Sequence, residues 1–199
     1  MKNHFQFPRK LLFSLGLVAL LAGCGINTIP TYDEAVKASL SQVLNQYKRR
    51  ADLVPNLVNV VKGYAAHERE TLEAVVKARS QVVETPPPAD IANNPEALKQ
   101  FEQNQNQLSS ALSRLMVVVE QYPNLKANEN FLALQSQLEG TENRISVARR
   151  DYILAVQQYN TELRTFPGRI WAFFLYRDSK PAANFTAPES VETVPEVKF

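Results

Sequence analysis

The stretch KANENFLALQSQLEGTENRISVARRDYILAVQQYNTELRTF, Lys126 to Phe166, decides the fold. Its 41 residues hold no proline and one glycine, Gly140. Ala127, Phe131, Leu134, Leu138, Thr141, Ile145, Ala148, Tyr152, Ala155, Tyr159, Glu162 and Phe166 follow one another at alternating spacings of four and three. Only Thr141 and Glu162 break the apolar rule, and Leu163 stands beside the second. A helix gathers such positions on one side, because each 4-3 step nearly completes two turns. At 1.5 Å per residue it would extend roughly 60 Å. An amphipathic helix of that length needs partners along most of itself.

A second frame runs Leu40, Leu44, Tyr47, Ala51, Val54, Val58, Val61, Ala65, Glu68, Leu72, Val75, Arg79, Val82. Pro55 falls inside it, and its missing N–H and ring clash imply a kink or a break. The unbroken frame favours a kink. Asp52 as a cap, with Pro55 in the first turn of a new helix, favours a turn. These residues alone leave both open.

Thr85 to Asn94 (TPPPADIANN) reads as a linker, since three successive prolines end a helix and favour an extended chain. Asn94 then reads as an N-cap, with Pro95 at the first helical position and Glu96 in the first turn. The helix that follows carries Leu98, Phe101, Gln105, Leu108, Leu112, Leu115, Val119 and Tyr122 on its stripe. The QNQNQ run at 103–107 is expected to be a solvated face. Met116 to Val119, apolar all round, is expected to be the most buried end. Tyr122-Pro123-Asn124-Leu125 should turn the chain back into the long helix.

Apolar residues make up 45% of the 199 and charged residues 21%, which excludes a disordered chain and an all-apolar membrane bundle. From residue 24 onward 19 Lys and Arg face 20 Asp and Glu. Without a polybasic field, nucleic acid is not expected as a partner. The single cysteine permits no internal disulfide and no cysteine-rich metal site. His67 has no second histidine at helical spacing, so no metal or other cofactor is expected.

Residues 1–10 (MKNHFQFPRK) are basic and residues 11–22 (LLFSLGLVALLA) almost wholly apolar. That is the layout of an export signal, too short for an ordinary transmembrane helix. Leu21-Ala22-Gly23-Cys24 resembles the lipobox of bacterial lipoproteins, in which the cysteine thiol takes a diacylglyceryl group and the chain is cut before it. The competing readings are a plain export signal with a chance cysteine, or a short membrane anchor. Acyl chains at Cys24 would anchor the protein stably. By resemblance to diderm sorting signals, Gly25 in place of aspartate favours the outer membrane over the inner. The expected organisation is a signal peptide at 1–23, a tether at 24–31, a helical bundle at 32–176 and an extended tail at 177–199.

Catalysis would need a nucleophile–base pair or paired carboxylates at a concave site. Glu142, Asp151 and Glu162 are scattered along a rod with no histidine to work with, so no enzyme is expected. Lys48, Arg49 and Arg50 form the densest basic cluster of the exported part, and Arg149 and Arg150 a smaller one. These five residues are candidates for a partner surface, because guanidinium groups match carboxylates and phosphates. The plainer reading is favourable charge at a helix C-terminus or balance of nearby glutamates.

Several runs are similar to signatures of the LemA family. They are Arg49-Arg50-Ala51-Asp52-Leu53-Val54-Pro55-Asn56-Leu57-Val58 with Val61-Lys62-Gly63-Tyr64-Ala65, Glu120 through Leu134, Thr141-Glu142-Asn143-Arg144 with Ala148-Arg149-Arg150, and Tyr159-Asn160-Thr161 with Arg164, Phe166 and Pro167. The likeness extends from about Tyr32 to Phe199. Leu40 stands where a tryptophan is usual, Ile153 where asparagine is usual, and the lipobox where many relatives have a transmembrane helix. The resemblance implies an all-α, antiparallel up-and-down four-helix bundle with long helices, and treats Asp52–Pro55 as a turn between two of them. It also implies membrane association, with the protein facing the outside of the inner membrane or its equivalent. It brings no established enzymatic activity or cofactor, and the occurrence of some members beside membrane proteases points weakly to an adaptor.

After Pro167-Gly168 ends the long helix, Arg169-Ile170-Trp171-Ala172-Phe173-Phe174-Leu175-Tyr176-Arg177 is the most hydrophobic stretch outside the export signal. It either caps the open end of the bundle, the favoured reading, or lies in the lipid interface. The function expected is a non-enzymatic, lipid-anchored scaffold or adaptor facing the periplasm, with membrane lipid and a membrane or envelope protein as partners. The alternative is a membrane-remodelling or pore-associated protein.

Overall fold

The computed structural model describes residues 25–185. The expected export signal, Cys24 and the last fourteen residues of the expected tail lie outside the described residues. Six α-helices are present among those described: α1 (Thr28–Tyr64), α2 (Arg69–Glu84), α3 (Pro95–Val119), α4 (Pro123–Lys126), α5 (Glu129–Arg164) and α6 (Gly168–Phe174), with a 3₁₀ turn at Ile91–Asn93. The all-α expectation therefore holds, but the four-helix bundle does not.

The reason lies in unequal lengths. At 1.5 Å per residue α1 and α5 each extend about 55 Å, whereas the 16 residues of α2 reach about 24 Å. The core accordingly has two parts. One joins Val54, Leu57 and Val61 of α1 to Leu72 and Val75 of α2, Leu108 and Leu115 of α3, and Phe131 and Leu138 of α5. The other joins Ile29, Val36, Val43 and Tyr47 of α1 to Leu98 and Phe101 of α3 and Ile145, Tyr152 and Tyr159 of α5. No residue of α2 belongs to this second part. Ile91 and Ala92 of the linker, Ala182 and Phe185 of the tail, and Trp171 of α6 fill it instead. The turn expected at Tyr122–Leu125 holds the short helix α4, and the hydrophobic stretch after the Pro167-Gly168 stop is wound into α6.

The long α5 frame is recovered in its interior. Phe131, Leu138, Thr141, Ile145, Ala148, Tyr152 and Tyr159 are buried. Thr141 is tolerated there because its hydroxyl donates to the Gln137 carbonyl at 2.7 Å and accepts from Arg144 at 2.9 Å. The predicted cap is present too, with the Asn94 side chain accepting from the Ala97 N–H at 3.1 Å. Asn128 does the same for Phe131 at 3.0 Å.

Other expectations fail locally. Pro55 lies inside an uninterrupted α1, so the turn implied by the family resemblance is absent, and the chain reverses at residues 65–68 instead. In the QNQNQ run, Asn104 and Gln105 are buried. Val117, within the stretch expected to be most buried, is largely exposed. The helix begins at Thr28, so residues 28–31 are helical, and residues 180–185, with no helix or strand of their own, are bonded to the bundle. This strap is fixed by the Ala183 N–H donating to the Ala92 carbonyl, the Tyr152 hydroxyl donating to the Ala183 carbonyl, and Asn160 bonding both backbone groups of Ala182.

Candidate functional site

Between the two parts of the core lies a layer of polar side chains. Arg50 of α1 is 1% exposed, the most fully buried charged residue described. Its Nη1 donates to Ser109 Oγ at 2.6 Å and Glu142 Oε1 at 2.8 Å, and its Nη2 to the Gln105 carbonyl at 3.0 Å and Gln105 Oε1 at 2.7 Å. The guanidinium also sits 5.1 Å from the centre of the Tyr47 ring. One side chain thus ties together α1, α3 and α5. About two turns along α5, Arg149 donates to the Tyr47 hydroxyl at 3.0 Å and to Glu102 at 2.9 Å, and lies 4.2 Å over the Phe185 ring.

The five basic residues singled out from the sequence therefore divide. Arg50 is not a surface group, and Arg149 is partly buried in a structural pair. Lys48, Arg49 and Arg150 are exposed. Arg150 reaches Asp151 at 3.2 Å, a surface pair that contributes little. Arg50 reads as a surface candidate in the sequence because its burial lies on a second α1 frame, Val36, Leu40, Val43, Tyr47, Arg50, Val54, Leu57 and Val61. That frame also alternates four and three, with Arg50 its one charged member. On α3, Glu102, which pairs with Arg149, and Gln105 and Ser109, which accept from Arg50, have the same spacing. Gln105 lay on the stripe already, and a lone polar residue in each of two facing seams was the available signal.

Nothing in this layer has the arrangement of a reaction centre. Its guanidinium groups face carboxylates and amides already bonded, with no nucleophile–base pair between them. An open groove of about 990 Å³ between α1 and α5 is lined by residues including Ala35, Ala38, Ser39, Gly140 and Asp151. Its serine, Ser39, donates to the Val36 carbonyl at 3.0 Å, and no histidine lines the groove. Among the described residues no group of three or more His, Cys, Asp or Glu could hold a metal ion, and His67 is exposed. Also among the described residues, no helix is long and apolar enough to cross a membrane.

The end of the bundle where α1 begins carries a different feature. Trp171, Ala172 and Tyr176 pack against the core, so α6 does cap the bundle with one face. Its other face, with Phe166 before it, is bare: Phe166 is 81% exposed, Phe173 65% and Phe174 63%, and Ile170 and Leu175 are exposed beside them. Capping thus describes half of the segment. Gly168 permits the sharp entry into α6, since a Cβ there would stand 2.2 Å from the Glu162 carbonyl oxygen.

The chain is 28% identical over 180 residues to magnetosome protein MamQ 2 of Paramagnetospirillum magneticum, covering 79% of this chain and 66% of that protein. It is 24% identical over 181 residues to magnetosome protein MamQ of Magnetospirillum gryphiswaldense. To protein LemA of Metamycoplasma hominis it is 25% identical over 165 residues, covering 82% and 71% of the two chains. It spans just under two thirds of the length of the MamQ relatives. The sequence model of the LemA family matches residues 39–199, nearly the whole of the helical bundle and its strap, and the chain belongs to the LemA family.

Proposed function

We propose that this protein is a non-enzymatic, lipid-anchored scaffold or adaptor of the bacterial envelope, acylated at Cys24 and facing the periplasm. Kinship with the LemA and MamQ proteins supports envelope association. The observation that carries the anchor is the place of Cys24, the sole cysteine, directly after a basic and then apolar leader and Leu21-Ala22-Gly23. Two or three acyl chains hold a protein to a bilayer where one is marginal. Gly25 supports the outer membrane over the inner. An adaptor role accords with a rod whose buried charges serve packing and whose exposed cations, Lys48, Arg49 and Arg150, remain for a membrane or envelope protein to engage.

Growth of cells with an alkyne fatty acid tests the anchor. The full chain should carry the label and Cys24→Ala should not, leaving an uncleaved or released protein. Undiminished labelling of that variant would overturn the lipid assignment. For the adaptor, Lys48, Arg49 and Arg150 are replaced together by alanine, which leaves Arg50 and the fold intact. Loss of one specific membrane-protein crosslink supports docking through these cations, and survival of every crosslink rejects it.

A further inference from the structure

The geometry points to the bare face of α6 as a lipid-docking surface, a second membrane contact that sets the helical rod end-on to the bilayer; this rests on the reading that the protein is membrane-attached. Five large apolar side chains, Phe166, Ile170, Phe173, Phe174 and Leu175, are exposed within ten residues of chain. Elsewhere exposed large apolar residues lie one or two to a helix on α1, α2 and α3, and Leu132, Val147, Ile153 and Leu154 are strung along α5. Single exposed residues need no explanation, whereas a contiguous patch marks a surface that something covers.

Two observations identify the occupant as lipid. The first is position. Gly25 lies against the same segment: a Cβ on residue 25 would stand 3.4 Å from Pro167 Cγ and 3.9 Å from Trp171 Nε1. The next residue toward the N-terminus is Cys24, preceded by the apolar run 11–22. Whether acyl chains or that run make the attachment, it leaves the bundle beside the patch. The second is charge. Arg164, Arg169, Arg177 and Lys180 are exposed in the stretch that carries the patch, where Asp178 is an exposed carboxylate and Glu162 is half-buried. Arg177 is held over the Phe173 ring at 5.6 Å while its Nε donates to the Phe173 carbonyl at 2.9 Å. Apolar side chains flanked along the chain by cations match the acyl boundary and phosphate layer of an anionic leaflet. Trp171 and Tyr176 brace the patch from within, so the docking face is presented on a fixed support.

With this end on the membrane, the reversal between α1 and α2 stands about 55 Å away, the length of α1. The surface then orients the rod, and the anchor keeps it there. Neither contact alone does both.

The test uses the full chain in vesicles of phosphatidylethanolamine and phosphatidylglycerol. Phe174→Cys, and separately Lys62→Cys at the far end of α1, are labelled with an environment-sensitive nitrobenzoxadiazole dye. Lipid-borne nitroxides should quench the dye at position 174 several-fold more than at 62, with blue-shifted emission at 174 alone. Arg169→Gln should lower the vesicle-binding constant about fivefold, the effect of about one interfacial charge. Equal and weak quenching at both positions, in protein that floats with the vesicles, overturns the docking surface. Emission at 174 that is blue-shifted yet insensitive to the nitroxides, with energy transfer between labelled copies, overturns it in favour of self-association. The anchor reading is scored separately: one dye per chain means the Cys24 thiol is blocked, two mean it is free. Cys24→Ser retains residues 11–22 and should dock in the same way. Failure of both forms to float with vesicles rejects membrane attachment and docking together.

Discussion

Arg79 Nε donates at 3.0 Å to the carbonyl of Ala51, the residue four places before Pro55. In an uninterrupted helix that carbonyl would accept from the N–H of residue 55, which proline lacks. The guanidinium from α2 replaces the missing donor and lets α1 run on through Pro55. Arg79→Ala should therefore cost about 1–3 kcal/mol by orphaning a buried acceptor. In a Pro55→Ala background the backbone N–H returns, and the same change should cost about 1 kcal/mol less. A double-mutant cycle by urea unfolding of the protein from residue 25 onward measures this. Additive effects would show that Arg79 does not substitute for the lost donor.

Glu142 is the one carboxylate bonded to the buried Arg50 guanidinium. Removing it in Glu142→Ala leaves a buried cation with only neutral acceptors, which should destabilise by about 2–4 kcal/mol. Adding Arg50→Met to that variant should recover part of the loss, because a well-packed apolar side chain needs no counter-charge. Chemical denaturation reads both, and a double variant no more stable than Glu142→Ala would contradict the account.

Burial pushes the Tyr152 phenol up to about 12 from its usual 10, while its hydroxyl holds the Ala183 carbonyl at 2.7 Å. A folded-state pKa above the unfolded one gives stability that is complete below about pH 10 and lost as pH rises toward 12. Wild-type protein should lose strap packing in that window, an event missing from Tyr152→Phe, which instead is weaker by about 1 kcal/mol at neutral pH. Circular dichroism and near-ultraviolet absorbance along an alkaline titration separate the two curves. Identical curves would mean that this phenol does not couple to folding.

Ile145 and Leu138 of α5 lie in different parts of the core, on either side of the polar layer. Asp at either position strands an unpaired carboxylate in a packed seam and should cost several kcal/mol, about 3–5. A thermal melt within about 0.5 kcal/mol of wild type would show that the α5 frame is misregistered.

The amino-acid sequence by itself determined that the chain is helical and which face the long α5 buries. Periodicity, proline and capping residues act over a few turns, so Asn94 and the seam from Phe131 to Tyr159 could be read directly. The lipobox-like run at Cys24 and the family motifs are likewise local features. The tertiary structure alone decided what fills each slot. Arg50 became a buried tie because three helices converge on it, and Pro55 became tolerable because Arg79 reaches across from α2. The half of the core that α2 is too short to cover took the linker and residues 180–185, making a six-helix bundle of unequal elements. The face of α6 left bare is likewise visible only once Trp171 and Tyr176 have chosen the other side. Local sequence fixes which face of a helix is apolar, but the partner and its length set where that face is covered, because burial depends on groups distant in the chain.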